Sequence, residues 1–319
     1  MAATAAPAVG VAHPAARGLG ERLRRAWRRN GAAYLFLLPW LLGFFLLTLG
    51  PTVASFYLSL TKFDLLTAPE WIGLENYVYM FTLDPRFRTA LGVTFTYVLW
   101  SVPLKLVVAL AIAVVLDKGI RGVTFYRALF YLPSLLGASV AIAVLWRQIF
   151  GREGMVNQLL ALLGFQGVAW VTHPDYALGT LVILAIWQFG SPMVIFLAGL
   201  RQIPTDLYEA AAMDGAGPTR RFLRITLPLL APVIFFNLVL QTIEAFKAFT
   251  QAFIVSGGTG GPIDSTLFYT LYLYQEAFAN FRMGYAAALA WFLLVIIGIF
   301  TALAFLSSRY WVYYEDARS

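Results

Sequence analysis

The sequence predicts an all-α polytopic membrane protein with six transmembrane helices. Of its 319 residues, 60% are hydrophobic and only 12% are charged, and the mean hydropathy of +0.74 lies outside the range of an ordinary soluble globule. Apolar runs recur at lengths that match a hydrocarbon core about 30 Å thick. The basic residues divide unevenly between the two sides of those runs. A membrane domain is therefore expected over residues 31–308, between a basic tail at 1–30 and a short tail at 309–319.

The tail 1–30 is Ala/Pro/Gly-rich and then Arg-rich. It has no small-residue cleavage site after its apolar stretch, so it reads as a disordered arm with a basic stop at the membrane surface. The first span is expected at about Ala33–Leu60, with kinks at Pro39 and Pro51. The second runs over about Ala90–Leu116 and contains Pro103 and Lys105. A charge at that depth should face protein or water, and for Lys105 a snorkelling or paired side chain is the expectation. The third span is about Tyr126–Phe150, with Pro133, Ser134 and Gly137 marking a flexible or closely packed point. A small apolar helix at Met155–Leu163 precedes the fourth span, about Ala177–Leu200. The fifth is about Leu229–Val255 and the last about Tyr285–Leu306, and no internal repeat is visible.

With six spans and the N-terminus inside, the inner side carries Arg17, Arg22, Arg24, Arg25, Arg28, Arg29, Lys118, Arg121, Arg127, Arg201, Arg220, Arg221, Arg224, Arg309 and Arg318. The outer side has Lys62, Arg86, Arg88, Arg147, Arg152 and Arg282. This bias puts both termini and the 201–228 loop in the cytoplasm. The net charge of +7 thus reflects membrane topology and does not argue for nucleic acid.

That inner loop is more than a connector. Pro204 stops the preceding helix, and Thr205 is expected to cap a new one, with Asp206 in its first turn. Good helix formers run from Leu207 to Asp214, Gly215 and Gly217 end them, and Pro218 suits the first turn of another helix. The surface of this short helix is mostly Ala210, Ala211 and Ala212, with Glu209 and Asp214 as its acids, and small side chains let another surface come close.

Glu209-Ala210-Ala211, Gly215, Ile225 and Leu227-Pro228, spread over twenty positions, resemble the EAA signature of ABC importer permeases. The opening, FLLPWLLGFFLLTLGPTVASFYLSLT followed by WIGLENY, resembles the first permease of the paired sugar-importer (maltose or glycerol-3-phosphate) type. The turn Ser256–Pro262 resembles that family's TGGGP-like turn. It lacks the Gly-Lys-Ser/Thr ending of a P-loop. The likeness covers roughly Ala33–Leu306. It implies a type I ABC importer permease fold, a five-helix core with an extra first helix. It also implies a cytoplasmic coupling loop, residues 203–228, docked in an ATP-binding subunit through Glu209, Ala210, Ala211, Asp214 and Gly215. The implied partners are a second permease, two ATP-binding subunits holding ATP and Mg, and an extracytoplasmic substrate-binding protein. The loop 62–88 is too short for the large outer domain of the maltose-transporter version.

No nucleophile elbow, HExxH, dinucleotide fingerprint or Walker A sequence appears, so catalysis in this chain is not expected. There are no cysteines, and the two histidines, His13 and His173, are too far apart in sequence to suggest a metal site.

Polar residues inside spans are costly and so mark a substrate path. Gln188, Phe189, Gly190 and Ser191 form one group, in which Gly190 and Pro192 can loosen the helix and expose carbonyls to a cavity. An aromatic ring beside an amide suits the apolar face and hydroxyls of a sugar. The second group is Asn237, Gln241, Glu244, Lys247, Phe249 and Gln251; the spacings of four, three and seven set Asn237, Gln241, Glu244 and Gln251 near one helical face. Glu244 and Lys247 fit two readings, pathway residues or an i,i+3 ion pair. The outer loops show no basic cluster for a phosphate, which favours a neutral sugar. The other class considered is a stand-alone proton-coupled secondary transporter using Glu244 and Lys247.

Overall fold

The computed structural model describes residues 33–119, 121–137 and 139–312. The basic arm 1–30 and the last residues of the C-terminal tail lie outside the described residues. The chain divides into two units, at Ser55/Phe56.

The described part of the first unit belongs to helix α1, Ala33–Ser59. Pro51 has no N–H to donate to the preceding turn. Just before it the helix widens into a π turn at Phe44–Leu49, and Gly50 N–H bonds back to Phe45 O.

The second unit begins with a two-stranded antiparallel pair, β1 (Thr61–Lys62) and β2 (Glu70–Trp71), and helix α2 (Glu75–Thr82). Its organising element is α3, Pro85–Asp117, long and apolar enough to cross a membrane by itself. Asp84 caps it, accepting from Phe87 N–H at 3.0 Å, and Pro85 fits the first turn. Helices α4 (Val123–Leu136), α5 (Val140–Ile149), α6 (Met155–Leu162), α7 (Pro174–Trp187) and α8 (Gly190–Leu200) follow. Then come α9 (Thr205–Met213), α10 (Pro218–Leu229), α11 (Ala231–Phe246), α12 (Thr250–Ser256), α13 (Tyr269–Tyr274) and α14 (Met283–Trp311). The helix α3 packs on α7, α8, α11 and α13, and its Phe87, Tyr97, Val102, Leu106 and Leu116 run through the buried apolar core.

Six spans are present only when bent pairs are counted as one. Helices α1, α3 and α14 each suffice alone, whereas α4 with α5, α7 with α8, and α10 with α11 bend by 96°, 40° and 64°. Three of the expected spans are therefore not continuous rods. The fourth breaks at Gln188–Phe189, and the fifth stops at Phe246 and resumes separately as α12. Helix α13, with the π turn Gln275–Ala279 that follows, was not anticipated. The last helix runs from Met283 to Trp311, past the expected span end at about Leu306. Thr205 does not cap α9: Pro204 occupies that position, and no side chain bonds there.

The Asp84 end of the bundle is tied by a buried polar network. The Asp84 carboxylate accepts from Tyr272 Oη at 2.5 Å and from Tyr285 Oη as well. Glu276 accepts from Arg282 Nη1 at 3.0 Å and Asn280 Nδ2 at 2.9 Å, and Arg282 lies over the rings of Tyr79 and Tyr285. Arg86 grips Asp264 with both Nε and Nη2, at 2.9 and 2.8 Å. At the other end of α3, Asp117 meets Arg201 at 3.7 Å, where the loop leading to α9 begins.

Candidate functional site

Each break leaves backbone carbonyls without a helical partner, which a membrane interior does not tolerate. Side chains from neighbouring elements supply the missing donors. Ser134 Oγ donates to Gln188 O at 2.9 Å and accepts from Ser191 N–H at 2.9 Å, spanning the break between α7 and α8. Gln251 Nε2 donates to Gly137 O, at the end of α4, at 3.0 Å. Thr270 Oγ1 donates to Ala248 O, in the gap between α11 and α12, at 2.5 Å.

The three mended breaks surround one cavity of about 380 Å³, within the range of roughly 300–1,000 Å³ usual for small-molecule sites. Its walls combine amides and hydroxyls (Gln188, Gln241, Gln251, Ser101, Ser134, Ser191, Thr250) with two aromatic rings, Tyr97 and Phe249. Lys105, Glu244 and Lys247 add charge, and Val102, Leu181, Leu184 and three alanines (Ala185, Ala245, Ala248) form the apolar remainder. Lys247 Nζ bonds Glu244 Oε1 at 3.1 Å, and both side chains are more than half exposed, so the i,i+3 pair forms and still faces the cavity.

Of the sequence candidates, Gln188, Ser191, Gln241, Glu244, Lys247, Phe249 and Gln251 meet at this cavity. Phe189, Gly190 and Asn237 do not line it. Phe189 packs on Phe130, ring centroids 6.0 Å apart. Asn237 is fully buried, with neither amide atom hydrogen-bonded. It lies one helical turn before Gln241 on α11, yet it is sealed from the cavity that Gln241 lines. Gly190 serves packing: a Cβ there would lie 2.5 Å from Phe130 O and 2.7 Å from Tyr131 Cα. Replacing Gly190 with alanine is expected to force α8 away from α4, destabilising the protein by about 1–3 kcal/mol. The check is a lowered thermal midpoint in detergent, and an unchanged midpoint would count against that close approach.

Lys105 belongs to the cavity and was not among the candidates. The anomalous charge inside an apolar span was the available signal.

The loop beyond Leu200 is ordered by its own chemistry. Helix α9 ends in a Schellman motif: Ala216 N–H bonds Ala211 O at 2.9 Å and Gly215 N–H bonds Ala212 O at 3.0 Å. This needs a left-handed residue, and Gly215 has φ +76°. Tyr208 Oη and Thr226 Oγ1 lie 2.9 Å apart and tie α9 to α10. Glu209, Ala210 and Asp214 are exposed, Ala211 is half-buried, and neither acid has a hydrogen bond or ion pair among the described residues.

A bundle of broken spans around a polar cavity, with an ordered alanine-faced helix beyond its end, is the architecture of a transport subunit. Residues 83–314 match the family described as binding-protein-dependent transport system inner membrane component, and the chain belongs to that family. It is 53% identical to the probable ABC transporter permease protein YesP of Bacillus subtilis, over 93% of this chain and 96% of the relative. It is 33% identical to the arabinooligosaccharides transport system permease protein AraP of the same species, over 90% and 92%. Among solved structures, a chain of the bacterial alginate ABC transporter, in complex with alginate pentasaccharide-bound periplasmic protein, superposes with a TM-score of 0.77. That match has 22% identity and covers 90% of this chain and 97% of the other, and it supports the type I permease fold. The protein is thus a multi-pass membrane permease of ATP-driven, binding-protein-dependent import, and the stand-alone secondary transporter is set aside.

Proposed function

We propose that the chain is one of two non-identical permeases of a sugar or oligosaccharide importer and forms half of the translocation path. The observation that carries this is helix α9: an exposed alanine face, two acids without a hydrogen bond or ion pair among the described residues, and a glycine-locked end, held to α10 by Tyr208 and Thr226. Such a surface suits a cleft in an ATP-binding subunit. Two such subunits would hold ATP and Mg, this chain itself being non-catalytic. Their closure would swing α9 and the second permease's equivalent, turning the cavity outward to receive a sugar from the binding protein; hydrolysis would reset it. The sugar class rests on AraP and similar relatives, together with a cavity of amides, hydroxyls and rings. The distribution of basic residues supports cytoplasmic termini.

The experiment is a mild-detergent purification through a tag on the C-terminal tail, with co-purifying proteins identified and ATPase activity assayed. A second permease and an ATP-hydrolysing subunit are expected. A lone protein that still transports in liposomes without ATP would overturn the proposal.

A further inference from the structure

The polar strip of α11 extends beyond the cavity. Val233, Asn237, Gln241 and Glu244 follow at steps of four, four and three, which sets them in one row along the helix. Exposure falls along that row. Glu244 is exposed, Gln241 is half-buried in the cavity wall, and Asn237, one turn nearer α10, is fully buried. Neither Oδ1 nor Nδ2 of Asn237 has a hydrogen bond among the described residues. An amide sealed in apolar packing with both atoms unmet is less favourable there than a leucine of similar size. Its place in the row calls for a second arrangement in which the amide finds partners. The next contact toward α10 is wholly apolar. A Cβ added at Gly199, near the end of α8, would lie 2.8 Å from Leu230 Cδ1 and 2.9 Å from Val233 Cγ2. Both sides of this seal flank the loop that carries α9. Gly199 precedes it, Leu230 follows α10, and Tyr208 with Thr226 ties α9 to α10 between them. A displacement of α9 therefore pulls on the two sides of one apolar contact, which can part without stranding a polar group.

We infer that Asn237 is a further ligand-contacting residue, concealed in this arrangement and uncovered when Leu230 and Val233 leave Gly199. Its amide N–H then donates to one sugar hydroxyl and its carbonyl accepts from another, as the ligand passes from Gln241 toward the cytoplasm. This rests on the cavity being the translocation path and on α9 being the coupling helix.

The chain contains no cysteine, so a single introduced thiol reports one position. Asn237→Cys is assembled with its wild-type partners in nanodiscs, where reagent reaches both faces. Labelling of this chain by a small charged methanethiosulfonate is timed without nucleotide and after trapping with ATP and vanadate. The thiol is expected to react at least about tenfold faster without nucleotide. A second variant, Asn237→Leu, removes two unmet atoms and is expected to assemble with a thermal midpoint no lower than wild type. In proteoliposomes its uptake of a neutral trisaccharide that wild-type vesicles accumulate should nevertheless fall at least about fivefold.

Equal labelling of Asn237→Cys in both states, no labelling in either, or loss of the assembled complex would make Asn237 a fixed part of the packing and overturn the inference. So would a lowered midpoint or undiminished uptake in Asn237→Leu. The path itself is read from Gln241→Cys carrying a bulky maleimide. If that label stops uptake while Asn237→Cys gives the same rate in both states, the path stands and the concealed contact falls. If uptake continues with Gln241→Cys labelled, the cavity is not the path and both readings fall.

Discussion

Reversing the charge at Glu209 to lysine is expected to abolish transport while leaving the protein folded. Glu209 is exposed in the middle of α9 and has no hydrogen bond or ion pair among the described residues, so its replacement breaks no polar contact there. Its effect falls on whatever the helix docks into. A like charge placed across an interface costs several kcal/mol, and about 1.4 kcal/mol is already tenfold in affinity. Sugar uptake by inside-out-controlled vesicles should therefore fall at least about tenfold. ATP hydrolysis by the assembled complex should persist but no longer respond to the loaded binding protein. Unchanged uptake in Glu209→Lys would remove α9 from the coupling path and with it the main support for the proposed docking.

Asp84→Ala is expected to cause the largest loss of stability. The residue is only 4% exposed, and its carboxylate accepts from one backbone amide and two tyrosyl hydroxyls. Alanine would strand both hydroxyls, each at about 1–3 kcal/mol, and remove the cap of α3, worth about 1 kcal/mol. The sum is roughly 3–7 kcal/mol, a downward shift of about 5–15 °C in the thermal midpoint of the purified protein. Asp84→Asn keeps an acceptor in place and should lose less than half as much. Equal midpoints for wild type and Asp84→Ala would show that the tyrosines find other partners and that the network does not hold this end together.

Hydropathy and breaker residues carried the broad outline of this fold because they act locally. Apolar runs gave the spans, and Pro204, Gly215 and Pro218 gave both ends of α9. The breaks were harder to read. Gln188 and Ala248 interrupt their spans because Ser134 and Thr270, distant in sequence, make the interruption affordable. Helical spacing across such a break also misleads. Gln251 was set in phase with Asn237, yet the chain turns between them, and Gln251 reaches the cavity while Asn237 is sealed away. Lys105 illustrates the converse. Its oddity was visible in the sequence, but only the packing of α3 against α7 and α11 shows what it faces.

The seam at residue 188 assigns two tasks to different atoms of one residue. The main-chain carbonyl of Gln188 holds the joint through Ser134, while its side chain lines the cavity. The joint would survive exchange of that side chain, since any residue supplies the same carbonyl. Exchange at position 188 is therefore expected to leave the joint intact, whereas exchange at position 134 is expected to loosen it. Relatives that import different solutes are expected to differ at 188 and to keep a small hydroxyl residue opposite it. Retuning such a carrier for a new sugar would begin at the residue nearest its bend, without disturbing how it moves.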